Sequence, residues 1–205
     1  MKGSLYTLCY AAGLGTVCAL LLTAAASFTH PYRAANAEAE EVLNILTALK
    51  VPFQEDSSAK QLVGIFNTNV REQSQGALTF YVYSPPQAKG QPLAIAVRFS
   101  GRGVWGPIKG CLALESDRKT IRGITFYEQE ETPGLGGEIV SDWFRNQFAG
   151  KLIVDQAGKP GIIIGTSGGK AAQNQIDAIT GATMTCDKVE AMLNAVIERI
   201  IREKK

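Results

Sequence analysis

Most signatures of familiar catalytic and metal sites are missing from this sequence. Its only histidine is His30, and its four cysteines, Cys9, Cys18, Cys111 and Cys186, form no CxxC pair. Metal-ligand spacing is therefore absent, and with it the common zinc and iron–sulfur classes. Everything after residue 30 must work without an imidazole, which argues against general acid–base catalysis by histidine there. No dinucleotide fingerprint is present. The nearest approach to a phosphate loop, Gly165-Thr166-Ser167-Gly168-Gly169-Lys170, misses the GxxxxGK[ST] spacing and is followed by Ala171, so it reads as a flexible connection. An excess of one charge is lacking too: 21 Lys+Arg against 19 Asp+Glu gives a net +2, with the basic residues scattered. Nucleic acid is a poor partner for such a surface. Internal repeats and low-complexity tracts are absent, and 205 residues suffice for one anchor and one soluble domain.

What is present begins with a run from residue 5 to 28 that carries no charged side chain. As a helix it would cover ~36 Å at about 1.5 Å per residue, against about 30 Å of bilayer hydrocarbon. Small residues at Ala24-Ala25-Ala26 and Ala35-Asn36-Ala37 would suit a cleaved signal peptide, but the run exceeds a typical signal h-region. The expectation is a retained transmembrane anchor at 1–29, lying in membrane lipid, followed by one domain at 30–205. Lys2 before the span and Arg33 after it leave orientation undecided by basic residues alone, and His30 beside Pro31 and Tyr32 reads as interfacial.

Helical periodicity covers 35–50, through Val42, Leu43, Ile45, Leu46 and Leu49, and a second helix is expected over 60–70. Strand patterns follow at 78–83, 93–99, 108–115 and 121–127, separated by Pro-Pro, Gly and Asp-Arg-Lys turns. A helix is expected over 138–148, with Ile139, Trp143, Phe144 and Phe148 apolar. Short apolar runs stand at 152–154 and 162–164, and a last helix runs over 187–203. Strands grouped between helices define an α+β fold class. Cys111 and Cys186 fit either a disulfide in an oxidising compartment or buried free thiols.

Two stretches carry chemistry. In Asp177-Ala178-Ile179-Thr180-Gly181-Ala182-Thr183, Gly181 admits a bulky anion, Thr180 and Thr183 offer hydroxyls, and Ala182 adds almost no bulk. A phosphate at Thr183 would sit beside a helix N-terminus, where free N–H groups and the dipole favour negative charge. The same residues also fit a plain start of a helix, with Thr183 or Thr185 as N-cap and Asp187 in the first turn. The second stretch, Glu131-Thr132-Pro133-Gly134-Leu135-Gly136-Gly137-Glu138, joins a Pro-Gly turn to further glycines and presents Leu135 on a loop rich in backbone amides.

Together these stretches resemble the flavin-binding domain of the NqrC and RnfG subunits, and the resemblance extends to Gly103-Val104-Trp105-Gly106, 123–128 and Phe148-Ala149-Gly150-Lys151. Phe126-Tyr127-Glu128 and Gly136-Gly137-Glu138 look more like NqrC, although Gln129 stands where typical NqrC sequences place a histidine. The resemblance implies FMN esterified through its phosphate to Thr183. It sets Thr180, Gly181 and Ala182 around the phosphate, and Glu131, Thr132, Leu135, Gly136 and Trp105 near the ring. Lys151 is a further candidate for the phosphate, and Asp177 belongs to the attachment signal read by a flavin transferase. It also implies a cytoplasmic N-terminus, an extracytoplasmic flavin domain, and a place among the membrane subunits of a sodium-translocating NADH:quinone reductase, with NADH and quinone bound elsewhere. An RnfG-type subunit, a solitary anchored flavoprotein and an anchored scaffolding domain are the alternatives.

Overall fold

The structure, a computed structural model, describes residues 2–54, 56–76, 78–88, 90–166 and 172–203, with backbone alone at 2–4 and 31–38. The expected flexible connection falls largely at 167–171, outside the described residues. Two compact units divide the chain, Met1–Ala39 and Glu40–Lys205. Helix α1 (Lys2–Ala48) makes up the first and enters the second. Within it, Leu5–His30 has a mean hydropathy of 1.9 and, among the described residues, is the one segment long and apolar enough to cross a membrane.

The second unit is built on a five-stranded antiparallel meander. Its strands are β1 (Val70–Gln75), β2 (Leu78–Tyr83), β3 (Ala94–Arg102), β4 (Pro107–Glu115) and β5 (Ile121–Glu128), in spatial order β1-β2-β3-β4-β5. Period-two alternation sends the two sets of side chains to two separate cores. Large residues such as Ile95, Val97, Phe99, Leu112 and Leu114 face one way, joining Phe144 of α3 (Asp142–Asn146), Phe148 just beyond it and the buried stripe of α4 (Thr183–Arg202). Ala94, Ala96, Cys111 and Ala113 face the other way, under the end of α1 and α2 (Ala59–Asn69). Small residues on that face let helix backbone come close: a Cβ on Gly123 would lie 2.6 Å from the Ala48 carbonyl oxygen. Ser58 and Gln61 form a capping box that starts α2. The pair β6 (Ile163–Ile164) and β7 (Gln175–Ile176) is parallel and stands apart from the meander.

The α+β class is as expected, with four local differences. Strand β1 was not expected because only Val70 of its six residues is buried, so it has no apolar alternation to read. The expected helix over 138–148 is instead a 3-10 turn, Gly136–Val140, and the short α3. Ser141 adopts an extended conformation between them and its hydroxyl accepts from the Phe144 N–H, restarting the helix. Trp143 is consequently exposed. The run at 152–154 forms only isolated bridges, Thr120 with Leu152 and Val154 with Pro160.

The two domain cysteines lie in different cores, Cys111 under α1 and Cys186 under α4, with the sheet between them. A disulfide between them is thereby excluded, since its Cα atoms must come within about 7 Å with facing Cβ vectors. Burial pushes the Cys111 thiol up to about 12 and raises that of Cys186 as well. Neither forms the reactive thiolate readily. Alkylation by iodoacetamide between roughly pH 7 and 9 should therefore leave both unmodified until denaturant is added, when both react. Peptide mass spectrometry reads the outcome, and a Cys111–Cys186 cross-link would contradict the separation.

Candidate functional site

The site lies where three segments meet: the β3–β4 turn, the loop after β5, and the first turn of α4. A pocket of about 290 Å³ is lined there by Val104, Trp105, Glu131, Thr132, Leu135 and Gly136 on one side and residues 181–185 on the other. Two stretches far apart in the sequence are thus brought face to face.

One carboxylate holds them. Glu131 is buried, and its Oε1 accepts from the backbone N–H of Val104 at 2.8 Å and of Trp105 at 3.2 Å. Its Oε2 accepts from the Thr185 hydroxyl at 2.6 Å, which is also buried. The glycines around it are required by space. A Cβ on Gly136 would collide with the Thr185 hydroxyl and Glu131, and one on Gly103 with Glu131 and Ile108. Gln129 closes the turn, its side-chain oxygen accepting from the Glu131 N–H at 2.6 Å.

Thr183 and Thr185 have opposite roles because two residues along a helix turn the side chain by about 200°. Thr185 points into the protein and is spent on Glu131. Thr183 is the first residue of α4, exposed, and its hydroxyl makes no bond among the described residues. The N-cap is Ala182, which offers no side-chain oxygen, so neither threonine caps the helix and the plain-cap reading is corrected. The first N–H groups of α4 are left for another acceptor. Gly181 takes φ +79°, a left-handed value that a side chain would strain, and an ideal Cβ there would already stand 3.0 Å from Leu135.

Of the residues singled out in the sequence, Trp105, Glu131, Thr132, Leu135, Gly136, Gly181, Ala182 and Thr183 line this pocket. Thr180 is exposed just before it. Asp177 sits further back, its backbone clasped by the Gln147 side chain at 3.0 and 3.4 Å. Lys151 is not brought to the pocket: its carbonyl accepts from Ile121 at the start of β5, whereas Glu131 follows that strand's far end. Trp105 is 71% exposed and so is no core residue. Val104, Met184 (65% exposed) and Thr185 complete the lining and were not expected in it. The one signal for Thr185 was its spacing of two from Thr183.

This geometry defines a domain able to hold a phosphorylated, ring-bearing ligand between a glycine-rich loop and a helix N-terminus. Residues 103–198 match the family described as the FMN-binding domain. The NqrC protein of the Na(+)-translocating NADH-quinone reductase of Pasteurella multocida is 37% identical over 108 residues, covering 53% of this chain and 42% of the relative. Its counterpart in Vibrio campbellii is 39% identical over 97 residues, covering 47% and 37%. The crystal structure of the NqrC protein from Parabacteroides distasonis superposes with a TM-score of 0.69 at 25% identity, covering 84% of this chain and 94% of that one. Shewanella oneidensis NqrC shares the fold, with a TM-score of 0.70 at 20% identity over 82% and 99%. Residues 103–198 are thus similar to the FMN-binding domain family, and the chain is similar in sequence and fold to the NqrC proteins named above. Its match spans about two-fifths of the length of these curated relatives.

Proposed function

We propose that this chain is a membrane-anchored electron carrier that holds FMN as a phosphoester on Thr183, within a sodium-translocating NADH:quinone reductase. The observation that carries the reading is the Thr183 hydroxyl. It is exposed, unbonded and placed on the pocket wall at the unfilled start of α4, the surroundings an esterified phosphate requires.

The residues present fit the group. Gly181 and Ala182 leave the turn before Thr183 without bulk, and the free N–H groups of α4 suit phosphate oxygens. Leu135 and Trp105, both partly exposed, supply an apolar wall for a ring. Bound FMN supplies the electron chemistry, while this chain supplies attachment and position. The pocket is shallow and its apolar edge faces outward, which suits exchange of electrons with a neighbouring subunit. Asp177 and Thr180 are assigned to the attachment signal and the phosphate surroundings.

The relatives named above are subunits of a larger reductase, and the helix at Leu5–His30 suits a single anchor, which in our reading holds the FMN domain outside the cytoplasm. NADH and quinone would then react on other membrane subunits, and a flavin transferase would load this one. Intact-mass measurement of natively expressed protein, purified in mild detergent, tests both parts. The expected result is the FMN increment on the chain and co-purifying integral membrane subunits. A flavin-bearing chain that purifies alone would indicate a solitary carrier, and a chain without flavin despite a transferase would remove the redox reading.

A further inference from the structure

A second opening, of about 500 Å³, lies between α4 and β3 and shares no lining residue with the pocket at Thr183. Its origin is a parting of strands. The β2–β3 register ends at Phe80 opposite Val97, whereas β3 continues to Arg102 and stays paired with β4, Arg98 opposite Cys111 through Arg102 opposite Pro107. Leu78 and Thr79 remain paired with β1 and leave β3. Among the described residues, five of β3, Arg98–Arg102, therefore have a paired strand on one side only.

Such an edge is a template for another strand. The walls say what kind. Val97, Phe99, Met192 and Val196 form an apolar floor, and the small Ala191 and Ala195 keep the α4 side low. Gly101 brings β3 close to α4, since a Cβ there would collide with Met192. Lys188 and Arg199 stand on the α4 side of the opening with no ion pair among the described residues, and no acidic side chain is among its lining residues. Arg98 turns away, pairing with Glu41 and lying over Tyr81 on the other face, so it contributes backbone alone. In a chain of net charge +2, two unpaired cations along one wall of a groove with an apolar floor and no lining carboxylate are a concentrated feature.

We infer that this groove receives an acidic, extended segment of a partner protein, which adds to β3 beside Arg98–Arg102 as a further strand. Lys188 and Arg199 lie eleven residues apart on α4, about 16 Å along the axis. An extended segment of about five residues spans that distance, with alternate side chains falling on the floor and at the rim. Apolar residues at the inward positions and carboxylates at the outward ones match both surfaces. The same cations repel basic edges, which guards the open strand against unselected pairing.

The test is fluorescence anisotropy on the full chain in mild detergent, using a fluorescein-labelled peptide that alternates valine and glutamate over about seven residues. The expected result is binding that weakens as salt is raised, no binding of the peptide with lysine in place of glutamate, and a loss of about tenfold or more when proline replaces the central residue. The double variant Lys188→Glu/Arg199→Glu should abolish binding. Ala195→Trp, which fills the groove from an exposed position and keeps every charge, should do the same. Equal binding of the glutamate and lysine peptides, no binding of the glutamate peptide at about 1 mM, or indifference to Ala195→Trp would each overturn the inference. So would phosphatidylglycerol vesicles whose binding is lost in the charge-reversed variant while peptide affinity is unchanged, because the cations would then serve lipid.

Discussion

Replacing Thr183 by valine is expected to abolish covalent flavin while leaving the protein folded. The substitution keeps the branched shape and removes only the hydroxyl oxygen, which bonds to nothing among the described residues. The position is exposed at the first residue of α4, where such a change alters stability by no more than about 0.5 kcal/mol. Cap loss does not enter, because Ala182 holds the cap position without a side-chain bond. The chain is co-expressed with a flavin transferase and, after denaturing electrophoresis, is inspected for in-gel fluorescence, with circular dichroism reporting the fold. A fluorescent band of wild-type intensity in Thr183→Val would show that the ester is elsewhere. Thr185→Val is the informative companion, since its hydroxyl faces inward to Glu131 and is expected to hold the site together without carrying the group.

How far such a site can be read from sequence depends on which forces act locally. Strands β2 to β5 were legible because each is a short, mostly apolar run that is buried on two faces and bounded by turn residues. Strand β1 was not, since pairing with β2 alone holds six mostly exposed residues in place. Likewise the apolar content of 138–148 suggested one helix, but Ser141 offers its hydroxyl to the backbone and starts a new turn. The proposed attachment position, Thr183, stood out through the residues beside it, and the structure puts it on the pocket wall. The placement of Glu131 was not: its burial and its three bonded donors arise from segments 27 and 54 residues away. The carboxylate expected near a ring lines the pocket and is also the bracket of the site. The open edge of β3 was equally invisible, because the point at which β2 parts from it depends on how the sheet and α4 pack together.

The bracket leads to the second large effect. Glu131→Ala removes the acceptor for two backbone N–H groups and a buried hydroxyl at once. Each donor left unsatisfied away from water costs about 1–3 kcal/mol, and partial hydration of the Val104–Trp105 turn reduces the sum, so a loss of roughly 3–5 kcal/mol is expected. For a domain of this size that lowers Tm by about 10 °C, measurable by thermal unfolding of the detergent-purified chain. Glu131→Gln keeps one acceptor oxygen but turns an amide N–H₂ toward a donor, and should fall between the two. Thr185→Val removes one of the donors, so in the pair Glu131→Ala/Thr185→Val the losses should fall short of additive by about 1–2 kcal/mol. Additive losses would mean that the 2.6 Å contact contributes little, and the Thr185 side of the bracket would then owe its position to packing against Gly136. Because the same carboxylate sets the distance between the Leu135 loop and Thr183, flavin loading should fall with stability in Glu131→Ala. In Thr183→Val the two separate, loading being lost at constant Tm, and this contrast distinguishes the residue that carries the group from the one that shapes its pocket.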